Sequence, residues 1–124
     1  MGNLDRLEKI IALLPETERV DIEQWGGHPS YRVKGKNFVF SNLAGTSLSL
    51  KLPVEEARAV VATDETASPT GYGLGNHGWI DFSLSLSADA ARWQVVQEWV
   101  VTSYTPVAPR RLAEEVLDRL GDFA

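Results

Sequence analysis

The stretch Tyr31-Arg32-Val33-Lys34-Gly35-Lys36-Asn37-Phe38-Val39-Phe40 decides how this chain folds. Tyr31 and Val33 alternate with Arg32 and Lys34, Gly35 occupies a tight turn, and Phe38 and Phe40 follow with period two. Two short patterned runs joined through a glycine are the signal of a β-hairpin. Beyond a turn at Asn42–Thr46, Leu48, Leu50 and Leu52 alternate with Ser47, Ser49 and Lys51. That pattern predicts a further strand with one apolar and one polar face.

The same reasoning extends to both ends. Upstream, Gly26, Gly27 and Pro29 break the chain, and Arg19–Trp25 reads as a strand with Val20 and Ile22 on one side and Asp21, Glu23 and Trp25 on the other. Before it, Asn3 is placed to cap a helix through Leu4, Leu7, Ile10, Ile11 and Leu14, ended by Pro15. Downstream, Pro53 opens a short helix with Val54, Ala57, Val60 and Val61 inward. Thr63–Gly78, with Pro69 and glycines at 71, 73, 75 and 78, reads as a loop. Ile80, Phe82, Leu84 and Leu86 alternate with polar residues and predict a strand. Ser87 then caps a long helix to about Ser103, carrying Ala91, Val95, Val96, Trp99 and Val100 on its apolar stripe. Pro109 starts a last helix, with Leu112, Val116, Leu117 and Leu120 inward.

Strands therefore cluster instead of alternating with helices. The expected class is α+β: an antiparallel sheet with helices packed on one face. The 124 residues suit one domain, 1–124. The chain is 44% hydrophobic and 23% charged, which is too apolar for disorder. It has no cysteine, so disulfides, thiolate metal sites and thiol nucleophiles are excluded. No apolar run approaches the ~20 residues of a membrane span, and Met1–Lys9 is charged, unlike a signal peptide. No membrane partner and a cytoplasmic location are the expectation.

Charge is unevenly distributed. The net charge is −5, yet no acid lies between Glu23 and Glu55, where Arg32, Lys34, Lys36 and Lys51 fall. That segment carries +4 and leaves −9 for the rest of the chain. By period-two counting, the face turned away from the helices would hold Asp21, Glu23 and Trp25, then Arg32 and Lys34, then Ser47, Ser49 and Lys51, then Trp79, Asp81, Ser83 and Ser85. Aromatic rings beside cations are the components of a platform for nucleic acid or a planar ligand.

Chemistry-bearing motifs are few. The glycines at 71–78 have neither the strand-to-helix junction nor the lysine of a phosphate loop. His28 and His77 each sit in a glycine-rich turn, and their spacing implies no metal site. Gly-x-Ser-x-Gly is absent. No catalytic residue, metal or cofactor is predicted, and a binding module is favoured over an enzyme built on His77 or His28. The acids Asp5, Glu8, Glu16, Glu18, Asp21 and Glu23 are interleaved with Arg6, Lys9 and Arg19, the pattern of an ion-paired surface.

The run Trp25-Gly26-Gly27-His28-Pro29-Ser30-Tyr31-Arg32-Val33-Lys34-Gly35-Lys36-Asn37-Phe38 resembles the signature of the MmcQ/YjbR family. Leu48–Leu52 with its lysine, Pro69 to Tyr72, His77–Trp79, Ser103-Tyr104 and Arg110–Arg111 follow in that family's order. The resemblance implies an α+β fold similar to bacterial frataxin (CyaY-like, or double-wing) and, as function, DNA binding. Under that reading Arg32, Lys34, Lys36 and Lys51, joined by Arg110 and Arg111, would neutralise phosphates, and Trp79 or Tyr72 would stack on a base. One departure weakens the charge: Gly73-Leu74-Gly75-Asn76 stands where relatives carry a lysine-containing stretch. The alternative is a small-molecule or protein-interaction domain with a pocket near the 63–78 loop, lined by Trp25, Tyr72, His77 and Trp79.

Overall fold

The computed structural model describes residues 2–119. Helix α1 (Asn3–Ile11) leads into β1 (Thr17–Ile22), and a 3-10 turn (Glu23–Trp25) separates β1 from β2 (His28–Val33). Strands β3 (Lys36–Ser41) and β4 (Ser47–Lys51) precede helix α2 (Val54–Thr63) and the short β5 (Ala67–Pro69). A second 3-10 turn (Leu74–His77) leads to β6 (Trp79–Ser83), α3 (Ala90–Tyr104) and α4 (Arg110–Asp118). The strands form one antiparallel sheet in the order β1-β2-β3-β4-β6-β5. The α+β class expected from the clustering of strands is the one observed.

The hairpin forms where the glycine signal puts it. Lys34 and Gly35 both take positive φ, 50° and 80°, as a two-residue type I′ connection requires. The twist of that turn matches the twist of the strands it joins. Across the sheet, Tyr31 stands opposite Val39, Val39 opposite Leu50, and Leu50 opposite Ile80. These residues are buried beneath the helices, Leu50 fully so. Burial of one such side chain contributes about 1.5–3 kcal/mol. Phe38 meets Tyr104 of α3 edge to face at 5.5 Å, and Phe82 meets Trp99 in the same way at 5.0 Å.

Several local expectations are corrected. Asn3 does not cap α1: it is buried, and its amide nitrogen reaches the carbonyls of Gly45, Leu84 and Ser85 at 3.1, 3.3 and 3.2 Å. A buried amide must find partners within the protein, and these three loop carbonyls supply them. The cap of α3 is Asp89, whose side chain accepts from the backbone N–H of Arg92 at 2.9 Å; it is not Ser87. Phe38 and Phe40 do not share a face. The register slips between Tyr31 and Arg32, so Phe38 is the extra residue of a β-bulge and packs inward while Phe40 turns outward.

The first strand is also inverted relative to its pattern. Arg19 lies opposite Tyr31 and reaches Glu8 of α1 at 3.1 Å, and Asp21 joins the same side by accepting from Arg19 at 2.7 Å. Thr17, Arg19 and Asp21 therefore face the helices, and the half-buried Val20 and Ile22 face the open side. The strand ends at Ile22, so Glu23 and Trp25 belong to the 3-10 turn. Leu117 is exposed, and Leu120 lies outside the described residues.

Candidate functional site

The open face is built from residues that alternate with the core. Phe40, Ser49 and Asp81 stand in one row across β3, β4 and β6, and Ser68 of β5 extends it. Lys51 and Trp79 form the next cross-strand pair. The bulge at Phe38 turns the Phe40 ring outward, where it meets Trp79 with ring centres 5.5 Å apart.

Trp79 is held by the residue before it. Gly78 has φ +93° and gives its carbonyl to the backbone N–H of Leu52 at 2.9 Å. A Cβ at position 78 would lie 1.9 Å from the Leu52 carbonyl oxygen. Only glycine lets the incoming chain approach β4 this closely and start β6 in register with it.

A cleft of about 440 Å³ opens on this face, between β2, β3, β4 and β6 and the segment 70–74. Phe40 and Trp79 supply aromatic walls, His28 and Tyr72 line it further, and Ser49, Thr70 and Asp81 supply polar atoms. A cavity of that size and mixed lining suits a small ligand. Tyr72 is fully exposed, and its φ of +60° is a strained conformation for a tyrosine. Inside the cleft, Asp81 Oδ1 accepts two hydroxyls, from Ser49 at 2.6 Å and Thr70 at 2.7 Å.

Of the four residues proposed from sequence as a pocket, Tyr72 and Trp79 line the cleft. His77 ends the second 3-10 turn, is exposed and does not line it. The side chain of Trp25 lies outside the described residues. The open face read from the sequence held Ser49 and Asp81 but not Phe40, because the bulge reverses its phase, and not Thr70, which sits in a loop.

The six cations are dispersed, and carboxylates are set among them. Arg32 lies on the open face opposite Glu18 and donates to Asn37 at 2.7 Å. Lys34 reaches Glu16 at 2.5 Å, and Arg111 reaches the same carboxylate at 3.1 Å. These two hydrogen bonds hold the Glu16 carboxyl below the ordinary carboxylate range. Arg110 pairs with Glu114 at 2.9 Å. Among the described residues Lys36 and Lys51 form no salt bridge, but Lys36 begins β3 at the hairpin turn and Lys51 ends β4 beside Trp79.

The YjbR family model matches residues 12–105. The chain belongs to the YjbR family. This is the family that the ordered motifs resemble, and the matched span holds the whole sheet and the cleft, whereas Arg110 and Arg111 fall beyond it. The crystal structure of a Deinococcus radiodurans protein with a DUF419 domain is similar at a TM-score of 0.71. The likeness covers 98% of this chain and 89% of that one at 19% identity, and it speaks for the fold alone. No curated protein matches the sequence. Among the described residues no helix is long and apolar enough to cross a membrane.

Proposed function

We propose that this YjbR-family protein is a non-enzymatic binding module that takes a small planar ligand in the open-face cleft. One observation carries the reading: the Phe40 and Trp79 rings converge at 5.5 Å beside a carboxylate already fixed by two hydroxyls. Flat apolar walls with one oriented polar group are what a small planar molecule needs for both affinity and orientation. A reaction would need a base or nucleophile aimed at a bound atom. Here the Ser49 and Thr70 hydroxyls both donate to the same oxygen of Asp81, and we read the three groups as an anchor for a ligand, with the hydroxyls fixing the carboxylate.

The test is a two-dimensional amide and indole NMR titration with a library of planar fragments. We expect one or more fragments to shift resonances of Phe40, Trp79 and Asp81 together, and Trp79→Leu to abolish those shifts while the rest of the spectrum stays dispersed. A library that leaves the cleft resonances unmoved overturns the reading.

Nucleic acid is the second reading, favoured by the Lys51–Trp79 pair on the open face. Glu16, Glu18 and Glu114 interrupt its basic surface, and that weakens any field drawing in a polyanion. Fluorescence anisotropy with duplex and single-stranded oligonucleotides at low salt separates the two. Binding that weakens steeply with salt and is lost in Lys36→Glu and Lys51→Glu supports nucleic acid over the cleft ligand.

A further inference from the structure

We infer that the ligand of this cleft is a hydrogen-bond donor at its buried end: a planar amidinium, guanidinium or amino-heteroaromatic group that meets Asp81. The inference rests on the small-ligand reading and specifies its chemistry. Proton bookkeeping carries it. Each hydroxyl has one proton, and Ser49 and Thr70 both give theirs to Asp81 Oδ1. Toward the cleft, the Ser49 and Thr70 oxygens are left with lone pairs only. The second carboxylate oxygen, Oδ2, is an acceptor as well. The floor is therefore a set of three acceptor oxygens with no donor among them.

An acceptor-bearing ligand end, such as a carboxylate, phosphate or ketone, would set lone pair against lone pair there and lose its hydration without replacement. A group with several N–H donors in one plane satisfies all three oxygens at once. A carboxylate also favours positive charge, and Phe40 and Trp79 line the same cleft with aromatic rings of the kind that attract cations. The two donated hydroxyls hold the Asp81 side chain in one orientation, so little ordering remains to be done on binding. His28 and Tyr72, which can donate, line the same cleft and suit an acceptor elsewhere on the ligand.

Benzamidine and benzoate test this directly, because they share a ring and differ in the sign and donor character of one planar substituent. With the wild-type protein, benzamidine is expected to shift the Trp79 and Asp81 resonances with an affinity about tenfold or more above that of benzoate. Asp81→Asn keeps an acceptor for Ser49 and Thr70 but puts an NH2 where Oδ2 stood. It is expected to erase or invert that preference. Equal affinities at the cleft, or a preference unchanged in Asp81→Asn, overturn the donor assignment and leave the small-ligand reading standing. No cleft shifts with these probes or with the wider fragment library overturn both. The wild-type comparison stands alone if the variant fails to fold.

Discussion

The Tyr104 hydroxyl, at the end of α3, donates a 2.7 Å hydrogen bond to the carbonyl of Pro15, 89 residues earlier in the chain. This bond ties the last turn of the long helix to the turn between α1 and β1. The Tyr104 ring is buried against Phe38, so removal of the hydroxyl alone leaves the packing in place and the carbonyl unsatisfied. Tyr104→Phe is therefore expected to cost about 1–3 kcal/mol, read as a lowered urea midpoint with an unchanged slope.

The burial of this hydroxyl predicts alkaline sensitivity. Burial, with the Glu115 and Glu16 carboxylates adding to it, pushes the Tyr104 phenol from an ordinary 10.0 up to about 12. Burial and the nearby Glu8 carboxylate push Tyr31 upward as well, and its hydroxyl donates to Glu8 at 3.0 Å. A raised folded value means that the neutral phenol is the form the fold favours. The contribution is complete below the unfolded value near 10 and is lost as pH climbs through the folded one. Thermal midpoints should fall steeply between about pH 10 and 12. Tyr104→Phe should show a shallower fall, and equal slopes in the two proteins would refute the assignment.

At the acid end two carboxyls are held low, Glu16 and Asp64, and Asp64 is the more buried of them. Burial alone would raise its carboxyl, but hydrogen bonds from Thr66 and Arg92 outweigh that and hold it below the ordinary range. The stability it provides is present above its unfolded value and is lost as pH falls below about 4. Arg92 is the centre of this joint. It reaches Asp64 at 2.7 Å and Thr66 at 2.8 Å, with its guanidinium 5.2 Å from the Trp99 ring centre. Arg92→Met leaves Asp64 partly buried and unpaired and should cost about 2 kcal/mol or more. Arg92→Lys should recover little, because an ammonium cannot meet both oxygens and stack at once. Thermal melts from pH 3 to 7 check this: Asp64→Asn should flatten the acid limb.

These contacts show what the sequence could and could not convey. Local signals carried well: Gly35 marked the hairpin turn, and Leu48 and Leu50 marked the buried face of β4, with Leu52 buried just beyond its end. The inverted phase of β1 had a non-local cause. Arg19 turns toward the helices because Glu8 of α1 is there to meet it, and no pattern within Thr17–Ile22 records that partner. The bulge at Phe38 likewise depends on the slip against β2, while the sequence alone reads as plain alternation. Strand β5 has three residues, too few for a period, whereas β6 was legible from the alternation of Ile80 and Phe82 with Asp81 and Ser83, although it ends at Ser83 and leaves Leu84 and Leu86 beyond it. In the cleft, Tyr72 and Trp79 were within reach because aromatic residues near glycine stand out. The link from Thr70 to Asp81 spans a loop and needed coordinates.

Gly78 is where backbone geometry and the cleft meet. Alanine there would put Cβ on the Leu52 carbonyl and hold a non-glycine residue at φ +93°. Nothing flexible lies on either side of that clash, so the chain must move. Gly78→Ala is expected to cost about 3 kcal/mol or more and to lower the melting midpoint by about 10 °C. The neighbouring Trp79 would shift with it, so fragment-induced shifts at the cleft should weaken under conditions where the variant is still folded. A variant that matches the wild type in both measurements would show that the 78–79 junction does not set the cleft.

Lys34 offers a change in the opposite direction. It occupies the first position of the two-residue turn at φ 50°, where a type I′ connection favours asparagine, and a lysine there is strained by about 1 kcal/mol. What the lysine gains in return is its contact with Glu16, but that pair is half exposed on the lysine side and contributes little in solution. Asn-Gly is the preferred pair for this turn, so Lys34→Asn should stabilise the protein and raise the melting midpoint by a few degrees. Glu16 keeps its bond from Arg111, and the acid is not left unpaired. If the Lys34–Glu16 contact mattered more than the turn, the midpoint would drop instead, and would drop further at low salt than at high salt. Melts at two ionic strengths therefore decide whether backbone strain or charge pairing governs stability at the hairpin tip.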